Sequence, residues 1–405
     1  MSITSAPPIK SKNRALHGRS FWIVTFAFLT SMAFATAPTP LYALYQQRSG
    51  FSAFTITLIF ATYALGVLST LITIGHLSDR VGRRRLLLPS VGLILISAAI
   101  FIFFPDLPGL LTARLVSGMG VGMLTATATA YLTELHTVAR PGAGLKRAEI
   151  TATAANIGGL GLGPLISGLL AQFAPAPLQL TYLVFAFLLL LSLALLLRTP
   201  ETVSVSDRWE YRLQRISVPR EHRGSFAAAA MMAFVSFGMF GLFSSLAPVL
   251  IRGTLGITSL AVAGGVTFVV FASAAVMQMF SSRWALTTQI RSGLLTLGLG
   301  LVLVTGGILF ASMPLLLLGG VVAGSGSGIA FKAGLGTAIG ISSPEQRGEV
   351  IAGIFLAGYL GMSLPVLMLG ALMLVIPLVP AVLGFGALLL LLLALTALLS
   401  VRASR

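Results

Sequence analysis

The chain has 405 residues, 56% of them hydrophobic and only 9% charged, with a formal net charge of +16. Ordinary soluble domains carry roughly 25% charged residues, so a soluble globular fold is excluded. The lack of any cysteine excludes disulfides, thiolate metal sites and thiol catalysis.

Apolar runs and their breakers place spans near 21–45, 53–75, 86–104, 108–133, 149–172, 178–197, 226–250, 258–280, 292–311, 314–340, 350–375 and 378–400. The runs are long and continuous, unlike the short alternating strands of a membrane barrel. The expected fold is therefore an all-α membrane bundle of twelve transmembrane helices. Ahead of the first span, Lys10, Lys12, Arg14 and Arg19 make residues 1–20 a basic tail. Ala35-Thr36-Ala37 has the pattern of a signal-peptide cleavage site, but Pro38 would follow the cut and the apolar stretch continues beyond it, so the span is read as uncleaved.

With the N-terminus in the cytoplasm, 22 of the 26 basic residues fall on the cytoplasmic side. Only Arg48 and Arg252 lie outside, and Arg114 and Lys332 within spans. This is the positive-inside pattern of an inner-membrane protein with both termini cytoplasmic, so the basic balance describes topology and gives no reason to invoke nucleic acid.

The longest polar interruption, Thr199 to Gly224, divides the chain into six-span halves at 21–198 and 225–400, with a central linker at 199–224 and a short tail at 401–405. Sliding the second half by 206 residues lays Gly50 on Gly256, Arg85 on Arg291, Pro108 on Pro314, and Gly118, Gly120 and Gly122 on Gly324, Gly326 and Gly328. Parallel six-span repeats are an architecture of secondary transporters, with the substrate site between the halves.

Between spans 2 and 3 lies Gly75-His76-Leu77-Ser78-Asp79-Arg80-Val81-Gly82-Arg83-Arg84-Arg85. This string closely resembles the cytoplasmic loop motif of the major facilitator superfamily, with Gly75, Asp79, Arg80, Gly82, Arg83 and Arg84 on the motif positions. The resemblance implies a conformational latch: Asp79 faces the start of span 11, and the basic cluster pairs with an acidic residue at the end of span 4, for which Glu134 is the candidate. The copy after span 8 is degenerate, with Ala285, Leu286 and Thr288 where Asp79, Arg80 and Gly82 align. Pro200-Glu201-Thr202 also resembles a common ending of the family's first half.

In span 4, Arg114-Leu115-Val116-Ser117-Gly118-Met119-Gly120 resembles the family's helix-4 motif, whose Arg faces the central cavity. An intramembrane Arg costs about 2.5 kcal/mol or more, which points to function, with outward snorkelling as the alternative. Span 5 carries a GxxxGPxxSG string over Gly159, Gly163, Pro164 and Gly168, which resembles the motif associated with antiporters. Read without the resemblance, those glycines and Gly118 make close-packing seams.

Lys332 in span 10 shares a helical face with Ser325, Gly328 and Gly336, and either lines a cavity or snorkels to the cytoplasmic end. Asn156, Tyr42 and Phe331 are further cavity candidates, with helix packing as their other reading. All ten acidic residues fall in loops or at span ends. With cations and no carboxylates at mid-membrane, a neutral or anionic substrate fits best. No phosphate loop, catalytic triad or metal cluster is present in the sequence, so neither an enzyme nor a cofactor is expected.

The resemblance implies a monomeric secondary transporter, in contact with membrane lipid, that exports small amphipathic molecules by alternating access, with protons as the candidate coupling ion. The alternatives are uptake or exchange of an organic anion, with Arg114 and Lys332 as countercharges, and a non-transporting membrane sensor or scaffold.

Overall fold

The computed structural model describes residues 11–74, 78–203, 220–343 and 346–403. Gly75, most of the linker and the side chain of Asp79 lie outside what it describes. Within it, twelve helices are long and apolar enough to cross a membrane: α1 (Arg14–Ser49), α2 (Ala53–Thr73), α3 (Arg83–Phe103), α4 (Leu107–Ala139), α5 (Lys146–Phe173), α6 (Pro177–Leu196), α7 (Arg223–Leu255), α8 (Leu260–Arg283), α9 (Leu286–Leu309), α10 (Met313–Gly340), α11 (Arg347–Leu372) and α12 (Leu378–Arg402). Several outrun their apolar stretches. The 33 residues of α4 extend for about 50 Å, against a hydrocarbon core of about 30 Å, so its last turns leave the membrane and carry Glu134 and His136.

Local chemistry sets the breaks and ends. α1 is interrupted at Ala37 because Pro38 and Pro40 have no N–H for the helical ladder; Ala37 keeps its helical bond to the Ala33 carbonyl at 3.0 Å and shares it with the Phe34 carbonyl at 3.2 Å. Gly50 and Gly256 end α1 and α7 with left-handed φ of 68° and 67°, each donating its N–H back to the carbonyl four residues earlier. Asp106 and Ser312 cap α4 and α10, accepting from the N–H groups of Gly109 and Leu315 at 3.0 and 3.5 Å. Both pairs are 206 residues apart.

The same register governs packing. In α4, Gly118 and Gly122 press on α2 and Gly120 on α3, while in α10 Gly324 and Gly328 press on α8 and Gly326 on α9. A Cβ on Gly118 would lie 2.1 Å from the Tyr63 carbonyl oxygen, and one on Gly324 2.2 Å from that of Val270. The halves α1–α6 and α7–α12 are thus built on one plan.

They meet where α2 packs on α11, α5 on α8, and the later part of α1 on α7. These contacts gather at the end away from the linker. There the Thr39 hydroxyl donates to the Ser244 carbonyl at 2.7 Å, the Leu260 N–H donates to Gln172 Oε1 at 3.0 Å, and Gly370 abuts Thr57. Toward the linker end the halves part around a cleft.

Candidate functional site

The cleft has a volume of about 500 Å³ and is walled by α1, α2, α4 and α5 from one half and by α7, α8, α10 and α11 from the other. Its inner residues Ala35, Thr36, Arg114 and Ser244 are buried, whereas Ala126, Thr129 and Glu149, nearer the linker end, are exposed. The mouth is therefore at the linker end.

Aromatic rings make most of the apolar wall. Phe240 stacks on Phe271 at 4.7 Å, and Phe237 lies 5.1 Å from Phe331 and 5.6 Å from Tyr359. Tyr63 of α2 meets Tyr359 of α11 edge-on at 6.4 Å, so one aromatic contact crosses between halves. Such rings offer large rigid surfaces with only two side-chain torsions to order.

Arg114 lies at the closed end of the cleft, only 2% exposed. One guanidinium nitrogen donates to the Ala35 carbonyl at 2.7 Å, in the turn that Pro38 and Pro40 loosen. The guanidinium sits 4.4 Å from the Tyr63 ring centroid, and Nε has no partner. A cation–π contact contributes about 0.5–2 kcal/mol and a charged hydrogen bond about 1.5–3. Together they offset the cost of burial but leave the charge itself unneutralised. Among the described residues lining the cleft the one carboxylate is Glu149, at the mouth.

Asn156 lines the cleft from a π-helical turn, Ala154–Gly158, that interrupts α5. Such turns widen a helix locally and often accompany functional sites. Phe331 is also in the wall, and Tyr42 and Lys332 are not. Tyr42 is buried in the helical core with its hydroxyl unpartnered. Lys332 is half-buried, its amine donating to the Gln278 carbonyl at 2.9 Å. Gln278 does line the cleft.

The span-5 string is shared between two neighbours. A Cβ on Gly163 would lie 2.0 Å from the Ala33 carbonyl oxygen, and Gly159 also faces α1. Gly168 and Pro164 face α8 across the boundary between halves, where a Cβ on Gly264 would fall 2.1 Å from the Pro164 carbonyl oxygen.

At the linker end, Arg83 donates to Glu134 Oε1 from both Nε and Nη2, at 3.1 and 2.9 Å. A second carboxylate completes this network. Glu201 accepts the backbone N–H groups of Arg83, Arg84 and Arg85 at 2.8, 3.1 and 3.4 Å, capping the start of α3 where the helix dipole favours negative charge. Thr202 donates its hydroxyl to Glu134, Arg84 reaches the Thr199 carbonyl at 3.2 Å, and the Tyr131 hydroxyl reaches the Pro200 carbonyl. Gly82 has φ 113°, and a Cβ there would fall 2.5 Å from Glu201, so glycine meets both a backbone and a clearance requirement. Arg80 is exposed on the short helix Ser78–Val81.

In the second half the register of Arg83 and Glu134 falls on Gln289 and Gly340. Among the described residues the Gln289 amide donates to the nearby Ser281 and Trp284 carbonyls, both at 3.0 Å. The network is built on one half.

Twelve spanning helices in two matched halves, with a cleft between them, define a multi-pass membrane protein. A family model described as Major Facilitator Superfamily matches residues 21–364, and the chain belongs to that family. An uncharacterized MFS-type transporter of Methanocaldococcus jannaschii is 29% identical over 153 residues, 37% of each chain. The arabinose-proton symporter of Bacillus subtilis is 40% identical over 60 residues, 15% of this chain and 13% of that one. The matched segments thus span well under half the length of these relatives. Among solved structures, the human organic anion transporter MFSD10 (TETRAN) superposes with a TM-score of 0.68 at 18% identity, covering 96% of this chain and all of that one. A POT family transporter in complex with 5-aminolevulinic acid gives 0.73 at 14% identity, covering 96% and 97%. At such identities the likeness concerns the fold alone.

Proposed function

We propose that this protein is a secondary transporter that exports small amphipathic molecules, neutral or anionic, from the cytoplasm across an inner membrane by alternating access. The observation that carries this is the cleft, closed between the halves at one end and open at the other, with aromatic walls and one buried, unneutralised cation. The positive-inside pattern assigns the mouth to the cytoplasm, where an exporter loads. The α5 string, packed against both α1 and the opposite half, supports the antiporter-type branch. Protons are the candidate coupling ion, with Glu149 as the carboxylate of the mouth, and the working unit is the monomer.

The test is a susceptibility and dye-retention panel in an efflux-deficient bacterial host, comparing wild type with equally expressed Arg114→Gln. Wild type is expected to lower retention of amphipathic dyes. Loss of a charged contact of about 1.5–3 kcal/mol lowers apparent affinity for anionic members about 10–100-fold, and much less for neutral ones. Retention equal to the empty host across neutral and anionic members would overturn export. Saturable, gradient-dependent flux in proteoliposomes separates a transporter from a non-transporting sensor.

The unneutralised Arg114 also favours a second reading, uptake or exchange of an organic anion. Lys332 spends its amine on the backbone carbonyl of Gln278, so the first reading expects Lys332→Ala to leave the dye panel nearly unchanged. Selective loss of anion flux in that variant would favour the second.

A further inference from the structure

Trp22 is 54% exposed, although it lies only eight residues into the first span. The guanidinium of Arg147, at the start of α5, sits over its indole at 5.7 Å from the ring centroid. Arg19 is exposed and precedes Trp22 by three residues, which places the two side chains on one helix face. Arg140 at the end of α4 and Lys146 beside Arg147 are exposed as well. The helix ends are tied together here by the Phe21 and His136 rings, 5.8 Å apart, and by His136 Nε2 at 3.3 Å from the Gly144 carbonyl. Among the described residues none of these four cations forms an ion pair, and the adjacent carboxylate in the chain, Glu149, belongs to the cleft wall.

Indoles collect at the membrane–water boundary. Basic pockets between transmembrane helices on the cytoplasmic side hold anionic headgroups. Without a carboxylate partner among the described residues, these cations repel one another, and an anion among them relieves that repulsion. We propose that this corner of α1, α4 and α5 is a binding site for an anionic phospholipid, whose headgroup phosphate lies between Arg19 and Arg147 with Trp22 beside the glycerol backbone. The site is separate from the cleft and does not depend on what the cleft carries.

The test uses the full chain in phosphatidylcholine nanodiscs doped with increasing fractions of brominated phosphatidylglycerol or brominated phosphatidylcholine. Trp22 emission is isolated as the difference between wild type and Trp22→Phe. Each cation near an anionic surface contributes about a fivefold preference, so brominated phosphatidylglycerol is expected to quench Trp22 at a several-fold lower fraction than the phosphatidylcholine. Arg19→Gln with Arg147→Gln removes that preference, Arg147→Lys keeps part of it, and Arg283→Gln, at the end of α8, leaves it intact. These are exposed positions, and monodisperse elution checks the fold of each variant. Equal quenching by the two lipids in wild type would overturn the proposal. So would loss of the preference on adding soluble glycerol phosphate, because the site would then belong to a free phosphate compound.

Discussion

Valine at Gly118 and valine at Gly324 are expected to destabilise the purified protein by similar amounts, while valine at Gly144 has almost no effect. A Cβ at Gly118 meets the Tyr63 carbonyl oxygen at 2.1 Å and the Val67 nitrogen at 3.0 Å. Both are backbone atoms, which cannot rotate aside, so α4 and α2 must separate by more than 1 Å to reach ordinary contact. Neither can α4 simply slide away from α2, because Gly120 presses its other side against Ser90 and Ile94 of α3. Overpacking of this kind costs about 1–3 kcal/mol, with lost helix contacts in addition. Gly324 faces the same geometry against Val270, whereas nothing lies within 4 Å of Gly144. Thermal melting in detergent is the measurement. A tolerated Gly324→Val beside a damaging Gly118→Val would mean that the two halves pack by different rules, despite their common register.

What was legible in the sequence divides by the kind of partner a residue has. Spans were legible because each must present about 20 apolar residues to lipid. The repeat was legible because caps and close approaches depend on single residue types, Gly50 with Gly256 and Gly118 with Gly324, that survive in register. The pairing of Arg83 with Glu134 had a charge signature on both sides. Glu201 had none on its partners' side: it binds backbone N–H groups of Arg83 and Arg84, 118 and 117 residues away, and any sequence there would supply such donors. Its one cue was the Pro200-Glu201-Thr202 ending. Side-chain direction was the other weak point. Helix periodicity assigned Lys332 to a face rich in small residues, but such a face suits both a cleft and a neighbouring helix, and here the amine turns to a carbonyl of α8. Tyr42 shows the same ambiguity, since its side chain is buried among the helices and does not line the cleft.

Glutamine at Glu201 is expected to cut transport about tenfold or more and to lower the melting temperature. The carboxylate offers two acceptor oxygens to the N–H groups of Arg83, Arg84 and Arg85, and accepts from Thr202 N–H at 3.0 Å as well. An amide offers one oxygen and turns an NH2 group toward donors. Charged hydrogen bonds contribute about 1.5–3 kcal/mol each, and about 1.4 kcal/mol is a factor of ten in any balance between states. Thr202→Val, which removes only the hydroxyl contact to Glu134, is expected to do much less. Because the network holds the start of α3 directly behind Ser78–Val81, its loss loosens the turn that carries Asp79, and Asp79→Asn should reproduce the transport defect without the melting shift. The chain's lack of cysteine gives a readout of state: a thiol introduced by Ala126→Cys sits exposed in the mouth of the cleft. If the loop latches the mouth shut, labelling of that thiol by an impermeant maleimide is retained or rises when Glu201→Gln is added, even as transport falls. A fall in labelling would place the network among the contacts that hold the mouth open. Unchanged transport would make Glu201 a helix cap and nothing more.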